Sequence, residues 1–155
     1  MAFIKLETRI AAPIGICFDV SRDIDMHIES TKHTGERAIA GKTSGKIELG
    51  ESVTWRAKHL GVWQTLRTKI TAFSYPIYFV DEMMEGTFAS MKHEHIFEAQ
   101  EDYTLVTDIF QFESPLGIIG KIFNTLYLTT YMRTLLMHRN DVIKTEAERL
   151  SSQLK

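Results

Sequence analysis

The sequence predicts an α+β fold: an antiparallel sheet packed against one long C-terminal helix, with two short helices after the first strand. Three observations lead there. From Glu36 to Glu113 polar and apolar residues alternate in short runs broken by "GKTSGK", "HLGV", "SYP", "EGT" and "AQED", the pattern of strands joined by turns. From Lys121 to Lys155 there is neither Gly nor Pro, and apolar residues recur at helical spacing. Ahead of both, an alternating segment gives way to two short helical patterns.

Taken in order, residues 2–10 set Phe3, Lys5 and Glu7 against Ile4, Leu6 and Thr8, a strand that ends near Pro13. "PIGICFDVSRD" places Ile14, Phe18, Cys17 and Val20 on one helical face, with Pro13 expected as the first helical residue. "IDMHIES" fits a second short helix. The next five or six strands follow at hairpin spacing with no helical insertion, which requires an antiparallel meander. Ser114 is placed to cap the following helix, with Pro115 at its first position. In the same stretch, "ESPLGIIG", Gly117 and Gly120 flank bulky isoleucines, a composition suited to a hinged apolar gate. On the terminal helix Leu128, Tyr131, Leu135, Val142 and Leu150 form a stripe that Met132, Leu136 and Ile143 widen. The stripe is broadest early, so the first half of the helix should lie across the concave face of the sheet.

The chain has 155 residues, 44% hydrophobic and 25% charged, enough for one domain over residues 1–155 with its own core. A net charge of −2 and a pI near 6.3 provide no basic field for nucleic acid. The single cysteine, Cys17, excludes an internal disulfide and a Cys-based zinc site, and reads as a small buried hydrophobe. "MAFIKLETRI" alternates charge with apolar residues, unlike a signal peptide, and no apolar run is long enough to span a bilayer. The expected location is cytoplasmic, without stable membrane insertion.

The chemistry gathers on one strand. Between Ser90 and Ala99, Met91, His93, His95 and Phe97 share a face, opposite Lys92, Glu94 and Glu98. If "AQED" is a tight hairpin with Glu101 and Asp102 at its tip, His95 lies opposite Asp108, His93 opposite Phe110 and Met91 opposite Phe112. Asp81 joins them only for one length of the "EGT" turn, because a one-residue slip reverses its strand's faces; both orientations stay open. The same parity turns Trp55 and His59 inward with Val53 and Ala57, and Leu66, Thr68 and Ile70 inward against Arg67 and Lys69. Met83 or Met84, with Met91, would supply an adaptable wall, and Tyr131 and Leu135 would cap a ligand from the helix. Arg139 is expected in a surface or sheet-edge ion pair, with a ligand anchor as the alternative. Three readings compete for the His93, His95 and Asp108 group: a polar cluster bracing the sheet, a recognition patch in a greasy cavity, or metal or acid–base chemistry. The spacing of Gly86 and Glu98 about the histidines departs from the cupin pattern, and no metal is assigned.

This order of elements resembles the helix-grip fold of the START and Bet v 1-like superfamily over essentially the whole chain. In that fold a strongly bent sheet wraps a long C-terminal helix around a hydrophobic cavity. Asp81, Gly86, Phe88, His93, His95, Phe97, Asp108, Pro115 and Gly117 follow a pattern similar to that of the bacterial SRPBCC branch, which includes polyketide cyclase-like and ligand-transport proteins. The resemblance implies binding of a small hydrophobic or amphipathic molecule. It also admits a cyclase, aromatase or dehydratase with His95 as general acid or base oriented by Asp108, or an interaction module presenting Arg56, Lys58 and Arg67 to an unknown protein partner. The residues assigned to the ligand site are Trp55, His59, Leu66, Asp81, Met83, Met91, His93, His95, Asp108, Phe110, Phe112, Tyr131 and Leu135, with no cofactor.

Overall fold

Alternation fixes the strands and their inner faces. The computed structural model describes residues 1–114, 117–123 and 127–155. In it β1 (Ala2–Ile10) buries Ile4 and Ile10 while Phe3, Lys5 and Glu7 stay outside. Two short helices follow, α1 (Ile14–Ser21) and α2 (Ile24–Ser30), then a 3-10 turn at Lys32–Thr34. Six strands come next: β2 (Arg37–Gly41), β3 (Ser52–His59), β4 (Val62–Ser74), β5 (Tyr78–Glu85), β6 (Ser90–Ala99) and β7 (Thr104–Glu113). The helices α3 (Gly117–Phe123) and α4 (Thr129–Ser152) complete the order. No helix among the described residues is long and apolar enough to cross a membrane.

The sheet has the order β1-β7-β6-β5-β4-β3-β2, an antiparallel meander closed on one side by the first strand. The β6–β7 hairpin has the expected register, Ala99 pairing Thr104 and His95 pairing Asp108, with Gln100 N–H donating to the Tyr103 carbonyl at 2.8 Å. Register shifts leave one extra residue in each of three strands: Ile39 in β2, Thr71 in β4 and Met84 in β5. Such bulges increase local twist and bend the strand. Two of the three lie on the β4–β5 ladder, one on each strand.

Pro13 stands just before α1, in an extended conformation, rather than as its first helical residue. The proline ring restricts its own φ but leaves ψ free, so it also serves as the last residue before a helix. α2 is capped by Asp23, whose carboxylate accepts from the N–H groups of Asp25 and Met26 at 2.8 and 3.2 Å. α1 plugs one end of the sheet with Phe18, which packs against Phe73, Tyr75, Phe79 and Phe97 at centroid distances of 5.0–5.3 Å.

The terminal helical region differs from expectation in two respects. It is divided between α3 and α4; Pro115 and its expected first helical position lie outside the described residues, as do residues 124–126. The most buried line of α4 runs through Leu136, Arg139, Asn140, Ile143 and Ala147, so the side expected only to widen the stripe is its centre. Leu128, Tyr131, Leu135, Val142 and Leu150 are half-buried. The reason lies in the partners: the second half of α4 packs on β1, α1 and α2, while its first half stands over a cavity.

Candidate functional site

The sheet's inner face and the first half of α4 enclose a cavity of about 410 Å³. Most of its wall is apolar, with Val53, Trp55, Leu66, Ile70, Phe79, Met91 and Phe110 from the sheet and Leu128, Met132, Leu135 and Leu136 from the helix side. Its volume falls within the range of small-molecule sites, about 300–1,000 Å³. Of the residues assigned from sequence, Trp55, His59, Leu66, Asp81, Met91, His93, His95, Phe110, Tyr131 and Leu135 all line it. Met83 and Phe112 do not: both pack into the core cluster around Ile4, Phe110 and Leu136. Met84 is exposed. Asp108 also stands behind the wall, only 1% exposed, with the imidazoles between it and the cavity.

Two polar stations interrupt the apolar lining. The first combines Asp81, His93, His95, Asp108 and Arg139. The β5–β6 register sets Asp81 against His93 and so turns Asp81 inward; the ladder ends at Glu82 and Lys92, and the connection beyond is longer than the tight "EGT" turn expected. Both hydrogen bonds then run diagonally across the ladders: His93 Nε2 donates to Asp108 Oδ1 at 2.8 Å, and His95 Nε2 donates to Asp81 Oδ2 at 2.9 Å. Asp108 thus stands opposite His95 as expected and at ion-pair distance from it, while the hydrogen bond of His95 goes to Asp81. His95 Nδ1 lies 3.0 Å from Asp108 Oδ1, but its N–H is poorly aimed and makes no hydrogen bond among the described residues. The reason is positional, since diagonal side chains two residues along are still within reach of long or ring-bearing groups. Phe79, directly opposite His95, stacks on it at 4.2 Å.

Charge in this station is distributed unevenly. Burial disfavours an imidazolium at both histidines. At His93 burial and the neighbouring His95 push the pKa down to about 4 despite Asp108. At His95 the two carboxylates, Asp108 and Asp81, outweigh burial and raise it. Burial would raise both carboxyls, yet the imidazoles hold Asp81 below its ordinary value and Asp108 well below. The fourth support was missed: Asn140 Nδ2 donates to Asp108 Oδ2 at 2.7 Å. Arg139 is buried rather than on the surface; it donates to Asn140 Oδ1 at 3.0 Å and to the Ser21 carbonyl at 3.3 Å, and stands 3.7 Å from Asp108. The signal was a polar pair interrupting the line from Leu136 to Ile143 and Ala147.

The second station was read only in part. His59 Nδ1 and the Tyr131 hydroxyl are 2.7 Å apart, linking β3 to α4 across the cavity. Nearby, His27 Nε2 meets Glu36 Oε1 at 2.7 Å, and the His27 ring lies 4.3 Å from that of Trp55. Burial lowers the His59 pKa. For Glu36 burial acts the other way, but His27, with smaller help from His59 and Thr31, keeps the carboxyl below its ordinary value.

One donor atom from each of Asp81, His93 and His95 can be chosen so that all three lie within 4.8 Å of one another. Spacing within β6 could not reveal this group, because its carboxylate comes from β5.

No protein-family model matches the sequence, and no curated protein matches it. Solved structures do. TTHA0849 from Thermus thermophilus superposes with a TM-score of 0.73 at 15% identity, covering 94% of this chain and 99% of that one. A START superfamily protein from Mycobacterium smegmatis gives 0.70 at 14% identity, covering 96% and 98%. Ginseng major latex-like protein 151 from Panax ginseng gives 0.69 at 17% identity, covering 94% and 97%. Together with the bent seven-stranded sheet and the helix laid against it, these similarities show that the chain has the helix-grip fold of START and Bet v 1-like proteins.

Proposed function

We propose that the protein, acting as one unit over residues 1–155, binds a small hydrophobic or amphipathic molecule between its sheet and α4. The observation that carries this reading is the apolar cavity of about 410 Å³ with polar groups at two separate places on its wall. Apolar burial supplies affinity, about 25 cal/mol per Å² before ordering costs, and the polar stations supply orientation. Trp55, Leu66, Met91, Phe110 and Leu135 act as the apolar walls. Asp81, His93, His95, His59 and Tyr131 offer hydrogen-bonding groups.

Native mass spectrometry of gently purified protein, followed by organic extraction, tests the reading. A fluorescent apolar probe titrated into the same sample reports the free cavity. A stoichiometric adduct, or one probe per chain displaced by extracted material and weakened by Leu135→Trp, supports it. A bare mass together with no saturable probe binding overturns it.

A further inference from the structure

We propose that Asp81, His93 and His95 form a site for one divalent transition-metal ion on the cavity wall, a role independent of which organic molecule the cavity holds. The donors are of the right kinds: two imidazoles and a carboxylate, with positions left open toward a cavity, suit Fe(II), Co(II) or Zn(II) better than Mg(II) or Ca(II), which favour all-oxygen shells. They are also near the right places. Metal–donor bonds of about 2.0–2.2 Å put donors of one coordination shell roughly 3–4 Å apart. A set already within 4.8 Å has to close by only about 1 Å to meet that spacing.

The frame is rigid where a metal site requires it. His93 and His95 are fixed on β6, and Asp81 pairs directly with His93 from β5. Asp81 is the ligand with freedom to adjust, its side chain being 21% exposed against 2% for His95. In the present arrangement a hydrogen atom holds His95 Nε2 and Asp81 Oδ2 at 2.9 Å; the ion takes its place.

The strongest argument lies behind the ligands. Metal-bound histidines commonly give their second ring nitrogen to a carboxylate, which fixes tautomer and ring orientation. Here one carboxylate, Asp108, is bonded to His93 and lies beside the second nitrogen of His95. Asp108 Oδ1 accepts from His93 Nε2 at 2.8 Å, which leaves Nδ1 as the donor His93 has for an ion. The same oxygen lies 3.0 Å from His95 Nδ1, which leaves Nε2, the nitrogen facing Asp81. His95 Nδ1 is buried and without a hydrogen bond among the described residues, so a small rotation of the ring can complete its bond to Asp108 as the ion replaces the one to Asp81. Asn140 holds the other oxygen of Asp108 at 2.7 Å. Phe79 stacks on His95 at 4.2 Å, and Phe110 meets His93 edge-on at 5.2 Å, giving the site an apolar surround. The site brings together two carboxylates, Asp81 and Asp108, against one guanidinium, Arg139, 3.7 Å from Asp108.

The test uses the whole chain, stripped with a chelator and titrated with cobalt(II) chloride, then with zinc chloride in competition. Expected are visible absorption bands of low-symmetry, nitrogen-ligated Co(II), saturation at one ion per chain by elemental analysis, and loss of the bands when Zn(II) is added. Asp81→Asn and His93→Gln should each weaken Co(II) at least tenfold, and Asp108→Asn, acting through the imidazoles, by about 10–100-fold. His33→Gln, which alters the distant His33–His138 pair at 5.0 Å, should leave binding unchanged. Near-ultraviolet circular dichroism confirms that each variant is folded, and Asp81→Asn decides if the more buried positions fail to fold. Absence of saturable Co(II) binding up to millimolar concentration overturns the proposal. So does binding that survives Asp81→Asn and His93→Gln, which would place the ion on surface histidines. Apolar-probe binding measured alongside is unaffected by these outcomes, so the two readings fail separately.

Discussion

Replacing Asp108 by Asn should remove a large part of the protein's stability while leaving its shape almost unchanged. Asp108 is 1% exposed and accepts from His93 Nε2 and Asn140 Nδ2, with Arg139 3.7 Å away. An amide keeps one acceptor oxygen and puts an NH₂ where the other stood, so it faces a donor from either His93 or Asn140. A buried donor left without a partner costs about 1–3 kcal/mol. The substitution also deletes the negative charge beside the buried Arg139 guanidinium, and breaking a buried pair on one side typically costs about 3–5 kcal/mol. The two costs overlap, since both arise from the same lost oxygen, and a total of about 3–5 kcal/mol is expected. Urea unfolding followed by tryptophan fluorescence, at an m-value of about 2 kcal/mol per molar, converts this into a midpoint lower by roughly 1.5–2.5 M. Adding Arg139→Met should restore part of the loss if the stranded charge dominates. A single variant whose midpoint lies within about 0.5 M of wild type, with the m-value unchanged, would refute the assignment of Asp108 as the keystone of the polar station.

Gly41 ends β2 at φ 74°, and a methyl group there would run into the Ser52 carbonyl, so Gly41→Ala should lower stability by at least about 2 kcal/mol, measured by the same unfolding assay. An unchanged midpoint would mean the turn relaxes freely. Cys17 is fully buried, and burial pushes its thiol pKa up, so it should be silent to a thiol reagent at pH 8 in the native protein and react stoichiometrically in denaturant. Rapid native labelling would contradict the packing of α1. Glu36 has a carboxyl held below its ordinary 4.5, so its ionised form contributes stability that is fully present above that value and is lost as pH falls through the lower folded-state value. The midpoint gap between wild type and Glu36→Gln should therefore be widest near neutral pH and shrink on acidification; a gap that widens toward pH 3 has the wrong sign.

Most of the frame was legible because it depends on local periodicity. The "AQED" turn alone fixed the pairing of His95 with Asp108, since hairpin register propagates from the tip. Wherever a turn had two allowed lengths the reading stopped, as at "EGT", and with it the direction of Asp81. Partner choice inside the site was not legible either. Pairing places Cα atoms opposite one another, whereas the hydrogen bonds follow side-chain lean, so the carboxylate nearest in register to His95 is not the one that receives its hydrogen. The expectation of Arg139 in a surface or sheet-edge ion pair follows from the growing polarity of its helix turn, whereas Arg139 and Asn140 lie on the buried line of α4. Met83 and Phe112 had the right parity; parity distinguishes inside from outside but does not separate a cavity wall from solid core.

The pairing of β1 with β7 has a consequence for how the chain acquires its shape. Ala2 finds Phe112 and Ile10 finds Thr104, so β1 has no partner in this sheet until β7 has emerged. During elongation the hairpins from β2 to β7 can form one after another, each closing a short loop, but β1 must wait and then close a loop spanning most of the chain. α4, which rests on β1 and forms one side of the cavity, follows later still. Neighbouring strands can therefore pair before the pocket exists, and a molecule held between sheet and helix meets its complete site only at the end of assembly. Such a molecule can hold the finished protein together by mass action, but it has no complete mould to fill while the protein is being made.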